Sequence, residues 1–151
     1  MASHNSMHVE VVTAERELYS GEADLVSAPG SEGILGILPN HTALLALLKP
    51  GELRIGLDGK EEALFVSGGF IEVAHNRVTV LADTAEHAEE IDAARAEAAR
   101  RRAQELLQEA RSTEDRVALQ VALQRAIYRL KVVEVTRRRG RNRIEMPHSE
   151  S

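Results

Sequence analysis

Two periods divide the chain. Between residues 8 and 82, apolar residues come in short runs or alternate with polar ones, the two-residue period of half-buried strands. From about residue 86 they recur every three or four positions, the period of one helix face. Residues 8–13 are rich in β-branched side chains and predict a first strand. Leu18-Tyr19 predicts a short second strand ended by Gly21, and residues 23–28 a third, stopped by Pro29-Gly30. Residues 33–38 form an apolar strand interrupted by Gly33 and Gly36, with a turn at Pro39-Asn40-His41. Residues 42–48 are almost wholly apolar and too short to assign by period, so buried strand and helical turn both stay open. Residues 52–57 alternate, and Asp58-Gly59 is a hairpin turn signal. Residues 63–73 read as two strands meeting at Gly68-Gly69, Asn76 makes the next turn, and 77–82 is the last strand. Short strands at this spacing predict an antiparallel sandwich or barrel.

Residues 86–111 lack Gly and Pro and are dominated by strong helix formers. Ala99, Ala103, Leu106, Leu107 and Ala110 form a narrow stripe. Ser112 with Asp115 three positions on resembles a capping box. A second helix follows to about Thr136, with Leu119, Ala122, Leu123, Ala126, Leu130 and Val133 near a heptad seam. So short a connection predicts an antiparallel pair. Stripes this rich in alanine predict a hairpin only marginally stable alone. The class is α+β by sequence order: an antiparallel β-sandwich over 7–85, then a two-helix hairpin over 86–136. Residues 1–6 precede a second methionine, Met7, and read as a leader outside the fold. The arginine-rich stretch 137–151 reads as a solvated, disordered tail.

Charge sharpens the division. The net charge of -5 arises from 24 acidic and 19 basic residues. Only Arg16, Lys49, Arg54, Lys60 and Arg77 are basic before residue 92, so the first part is acidic and the second basic. Aromatic content of 3% leaves a core of Val, Leu, Ile and Ala. Without cysteine there is no disulfide framework and no Cys-based metal or redox site. No apolar run reaches bilayer-spanning length. The histidines lack metal-ligand spacing, and no Gly-x-x-x-x-Gly-Lys phosphate loop occurs, so a non-catalytic protein is expected. No aromatic residues interleave the arginines to stack on bases, so nucleic acid is not the expected partner.

Gly36-Ile37-Leu38-Pro39-Asn40-His41, Val66-Ser67-Gly68-Gly69-Phe70-Ile71-Glu72-Val73 and Val78-Thr79-Val80-Leu81-Ala82, followed by an Ala/Arg-rich hairpin, carry a family pattern. In that order and spacing they resemble the epsilon subunit of the bacterial F-type ATP synthase over about residues 8–134. The resemblance implies a sandwich at the rotor foot, against the gamma subunit and the membrane c-ring, with alpha and beta subunits as further partners. It implies peripheral attachment at the cytoplasmic face of the bacterial plasma membrane, and a hairpin that regulates ATP hydrolysis. His41 matches the family's turn histidine, which makes it a partner-contact candidate; an ordinary turn-stabilising role is the alternative. Where the family often has Gly-Glu-Leu-Gly, this chain has Gly33-Ile34-Leu35-Gly36, with Ile34 in place of the acid.

Ile91-Asp92-Ala93-Ala94-Arg95-Ala96 matches an Ile/Leu-Asp-x-x-Arg-Ala motif that serves as an ATP-binding signature in some family members. By the same resemblance Glu86, Arg102, Arg125 and Arg129 join Asp92 and Arg95 as nucleotide-binding candidates, with ATP as a regulatory ligand and no required cofactor. The chemistry is suitable. Arg95 and Arg102 are seven apart on one helix, and Arg125 and Arg129 four apart on the other, so antiparallel pairing could bring two basic faces together. Guanidinium forks match phosphate oxygens, while Glu86 and Asp92 can accept from an adenine amino group. Ala96 and Ala99 leave room beside them. A plainer reading also fits: Asp92 suits a helix start, Asp92–Arg95 is an i,i+3 ion pair, and Arg125 and Arg129 a solvated face. Two other classes stay open, a stand-alone nucleotide sensor and a basic adaptor that binds acidic protein or nucleic acid through its tail.

Overall fold

The computed structural model describes residues 5–145, with side chains through Arg138. Ten strands come first: β1 (Met7–Val12), β2 (Glu17–Ala23), β3 (Leu25–Gly30), β4 (Gly33–Ile37), β5 (Leu44–Leu48), β6 (Gly51–Leu57), β7 (Lys60–Val66), β8 (Gly69–Ala74), β9 (Arg77–Ala82) and β10 (Ala85–His87). A turn of 3-10 helix, Ala88–Glu90, leads to α1 (Ala93–Glu109) and α2 (Thr113–Glu145). Two compact units divide between Glu90 and Ile91.

The strands form one hydrogen-bonded path, β10-β7-β6-β3-β5-β8-β9-β1-β2, with β4 paired to β3. The path curls on itself, and β2 comes back into contact with β6 and β10, closing a sandwich. Pairing is antiparallel throughout except for β1 with β9, which is parallel, Val9 opposite Val78. Alternation sets the inner face: Met7, Val9 and Val11 are buried, while His8, Glu10 and Val12 are half-buried. Val26, Ile37, Leu53, Leu64, Val66, Ile71, Val78 and Val80 join them in a core made mostly of branched aliphatic side chains. Residues 42–48, open by period, form β5, because β8 supplies a partner for every residue from Leu44 to Leu48. At Asp58-Gly59 both residues have positive φ, 52° and 78°, as a two-residue hairpin turn requires. Gly68 and Gly69 both have φ of 129°, and a Cβ on Gly69 would lie 2.1 Å from the Leu81 carbonyl oxygen. Only glycine can make that corner.

Three expectations change. The first helix does not begin at Glu86. Residues 85–87 pair with β7, Glu86 opposite Phe65, so tertiary pairing overrides the helix preference of this stretch. The expected tail also differs: α2 continues through Arg137 to Glu145, consistent with arginine's helix preference and with an Arg138–Glu134 ion pair one turn apart. Residues 146–151 lie outside the described residues. Finally, Asn5 and Ser6 belong to the folded unit. Ser6 Oγ donates to Glu22 at 2.7 Å, and Asn5 Oδ1 accepts from Asn40 Nδ2 at 3.2 Å. Residues 1–4 lie outside the described residues.

In the helical unit α1 and α2 pack along each other. Ser112 Oγ accepts from Asp115 N at 3.1 Å, the predicted cap. Among the described residues of the two helices the buried positions are Ala96, Ala103, Ala126, Val132 and Val133, so the α1 stripe is turned toward Ala96 and leaves Ala99 exposed. Leu106, Val117 and Val121, near the turn, are exposed. Among the described residues, no helix is long and apolar enough to cross a membrane.

Candidate functional site

Asp92 is the N-cap of α1. Its Oδ1 accepts from Ala94 N at 3.0 Å and Arg95 N at 3.2 Å, satisfying two of the donors that a helix start leaves open. Its second oxygen, Oδ2, lies 3.9 Å from Arg95 Nε, and the Arg95 side chain is 89% exposed. The cap reading and the ion-pair reading therefore both hold, and the paired Asp92 Oδ2 and Arg95 guanidinium lie toward solvent. Arg102 and Arg125 are exposed, and Arg129 is half-buried. Glu86 is half-buried on β10, in the sheet unit rather than on a helix with the others. Of the candidate set, the structure brings Asp92 and Arg95 into direct contact and holds them with Arg102, Arg125 and Arg129 on one packed helix pair.

The packed pair also borders an open cleft of about 570 Å³ beside the start of α1. Ala93 and Glu97 line it from α1; Leu130, Val133, Glu134, Arg137 and Arg138 line it from α2. The first turns of α1 thus run beside residues 130–138, as antiparallel packing requires. None of the six nucleotide candidates lines this cleft. Arg95 falls midway between Ala93 and Glu97 in sequence, which turns it to the opposite side of α1.

Sequence reasoning missed the charge cluster beside this cleft. Arg100 donates to both Glu97 oxygens, through Nε at 3.1 Å and through the second guanidinium nitrogen, and its other amino group reaches Gln104 at 3.4 Å. The Arg100 hydrogen bonds, more than the added charge of Arg101, hold the Glu97 carboxyl below its usual range, and Glu97 in turn raises Arg100. The i,i+3 and i,i+4 spacing of Glu97 with Arg100 and Arg101 was the available signal.

The sheet unit carries a different kind of surface. Leu47, Phe70 and Leu81 are cross-strand neighbours on β5, β8 and β9 and all are about half exposed. Leu45 on the same outer face of β5 is 72% exposed, and Ile34 on β4 is 79% exposed. A contiguous exposed apolar row is a feature of partner surfaces. Beside the end of β4, the loop 38–42 presents Leu38, 59% exposed, and His41. His41 N donates to Leu38 O at 3.2 Å, and its ring Nδ1 donates to Thr42 O at 2.7 Å, so the histidine stabilises its own turn. Among the described residues no group of His, Asp and Glu has metal-binding geometry.

A β-sandwich that leads into a capped two-helix hairpin defines a class, and profile comparison gives the same division. Residues 6–88 match the ATP synthase delta/epsilon chain beta-sandwich domain, and residues 89–134 match its long alpha-helix domain. The chain belongs to the ATP synthase epsilon chain family. It is 50% identical to the ATP synthase epsilon chain of Herpetosiphon aurantiacus over 133 residues, covering 88% of this chain and 98% of that one. It is 47% identical to the epsilon chain of Laribacter hongkongensis over 137 residues, covering 89% and 98%. A chain in the Euglena gracilis mitochondrial ATP synthase, OSCP/F1/c-ring, superposes with a TM-score of 0.75 at 21% identity, covering 87% and 81%. One in the Tetrahymena thermophila mitochondrial enzyme, central stalk and c-ring, gives 0.62 at 19% identity, covering 84% and 96%. At these identities the two structures show a shared fold.

Proposed function

We propose that the chain is a non-catalytic central-stalk subunit that joins the gamma subunit to the c-ring and restrains ATP hydrolysis through its helical hairpin. In this reading the complex is held at the cytoplasmic face of the plasma membrane, and the alpha and beta subunits are further partners. The sheet unit is the docking body. Its exposed row Leu45, Leu47, Phe70 and Leu81 and its loop 38–42 supply apolar contact area, and a preformed sandwich needs no folding on association.

The hairpin is the regulated part. Closed, α1 and α2 pair as seen here; open, they separate and the arginine-rich α2 is free to meet acidic surfaces of the catalytic subunits. ATP binds the closed pair, its phosphates held by Arg95, Arg102, Arg125 and Arg129 and its adenine amino group by the Asp92 carboxylate. ATP then favours closure by as much as it prefers the closed form. The observation that carries this reading is the placement of Asp92 and Arg95 at the capped start of α1, alongside α2, with the guanidinium exposed.

Thermal unfolding of the full chain with and without ATP tests it. At a hundredfold excess over Kd, binding adds about 2.7 kcal/mol to the state that binds. Arg95→Ala is expected to abolish the ATP-dependent shift. Asp92→Ser restores the helix cap but not the carboxylate, so it is expected to keep helix content and lose the shift; Asp92→Ala loses both. An unchanged ATP shift in Arg95→Ala sinks the site assignment.

A further inference from the structure

The loop 38–42 is not held by its own strand alone. Asn40 N donates to the side-chain Oδ1 of Asn76 at 2.8 Å, across 36 positions of sequence. The same Asn76 amide donates through Nδ2 to Ser6 O at 2.8 Å, and Asn76 O accepts from His8 N at 3.2 Å. Asn40 Nδ2 in turn reaches Asn5 Oδ1 at 3.2 Å. One asparagine at the β8–β9 turn therefore ties together the entry to β1, the loop after β4 and its own turn. Both Asn40 and Asn76 have positive φ, 64° and 58°, a conformation asparagine tolerates better than other side-chain residues. A hydrogen bond that spans the fold fixes a loop more firmly than local turn bonds, because releasing it costs contacts in a second segment.

We infer that Asn76 is a positioning residue: its side-chain amide sets the conformation in which loop 38–42 presents Leu38 and His41 to a partner subunit. This rests on the reading of that loop as a docking element. The amide acts through both ends. Oδ1 holds the Asn40 backbone N–H, and Nδ2 anchors the holder itself to Ser6, so the loop keeps its shape in the free chain and does not have to be ordered on association.

Asn76→Gly tests this without disturbing the turn, because glycine keeps the positive φ and removes only the amide. Asn76→Asp separates the two ends: a carboxylate oxygen still accepts from Asn40 N, but nothing donates to Ser6 O. Amide hydrogen exchange in the full chain is expected to quicken about tenfold at Asn40 in Asn76→Gly, the loss of one ordinary hydrogen bond, and by less in Asn76→Asp. Affinity for ATP synthase stripped of this subunit is expected to fall most with Asn76→Gly and less with Asn76→Asp. Leu38→Asp is the control for the docking reading and is expected to weaken binding. If Leu38→Asp weakens binding while Asn76→Gly leaves either Asn40 exchange or affinity unchanged, Asn76 does not position the loop. If Leu38→Asp has no effect on affinity, the loop is not a docking element, and the inference falls with that reading.

Discussion

The two units are held together by different physics. In the sandwich, each strand turns Val, Leu or Ile inward, and Val9, Val26, Ile37, Leu53, Leu64 and Ile71 are fully buried. Each such side chain contributes about 1.5–3 kcal/mol on burial. In the helical unit the fully or nearly buried positions on α1 are Ala96 and Ala103, and α2 adds Ala126, Val132 and Val133. An alanine buries one methyl group, about 0.8 kcal/mol. The sheet unit is thus built to keep one conformation. The hairpin depends on its cap, its short-range ion pairs and a shallow seam. A rigid body and a pliable element can share one short chain because only one of them has a deep core.

The largest effect should come at the corner only glycine can make. Gly69→Ala places a Cβ against the Leu81 carbonyl at positive φ, and is expected to lower sandwich stability on the order of 4 kcal/mol in urea unfolding followed by far-ultraviolet circular dichroism. A loss below about 1 kcal/mol would mean the corner relaxes freely. Matched truncations come next. Leu53→Ala is expected to cost about 3 kcal/mol, whereas Leu123→Ala on half-buried α2 is expected to cost about 1 kcal/mol and to reduce helix signal more than sheet signal. Equal costs would break the contrast between the units.

The smallest effect concerns Glu97. Its carboxyl is held below the usual range in the folded chain, mainly by hydrogen bonds from Arg100. Its contribution is therefore present above the unfolded value, near 4.5, and is lost as pH falls through the lower folded value. A slight loss of helix signal below about pH 4.5 is expected, and Glu97→Gln should flatten that part of the profile. A profile identical in both proteins would show that the Arg100 contact does not support the hairpin.

Much of the sandwich was legible because its signals are local. The alternation in β1, the Asp58-Gly59 turn and the glycine pair at the β7–β8 corner each need only a few neighbours to be read. Long-range pairing was not legible. Residues 85–87 carry helix-forming side chains, and only β7 beside them makes them a strand. The parallel match of β1 with β9 is likewise set by distant segments. At the candidate site, spacing gave the shared faces of Arg95 with Arg102 and Arg125 with Arg129, but not the assignment of Glu86 to the sheet unit. Asn76 was readable as a turn residue; its hold on Asn40 comes from tertiary structure alone.

Hydrogen exchange of the full chain with and without saturating ATP, read segment by segment, compares the two units in one experiment. ATP is expected to slow exchange along α1 and α2, most strongly in the first turns of α1 and around Arg125 and Arg129, and to leave β1–β9 unchanged. Equal exchange in the helices with and without ATP would contradict a hairpin closed by nucleotide.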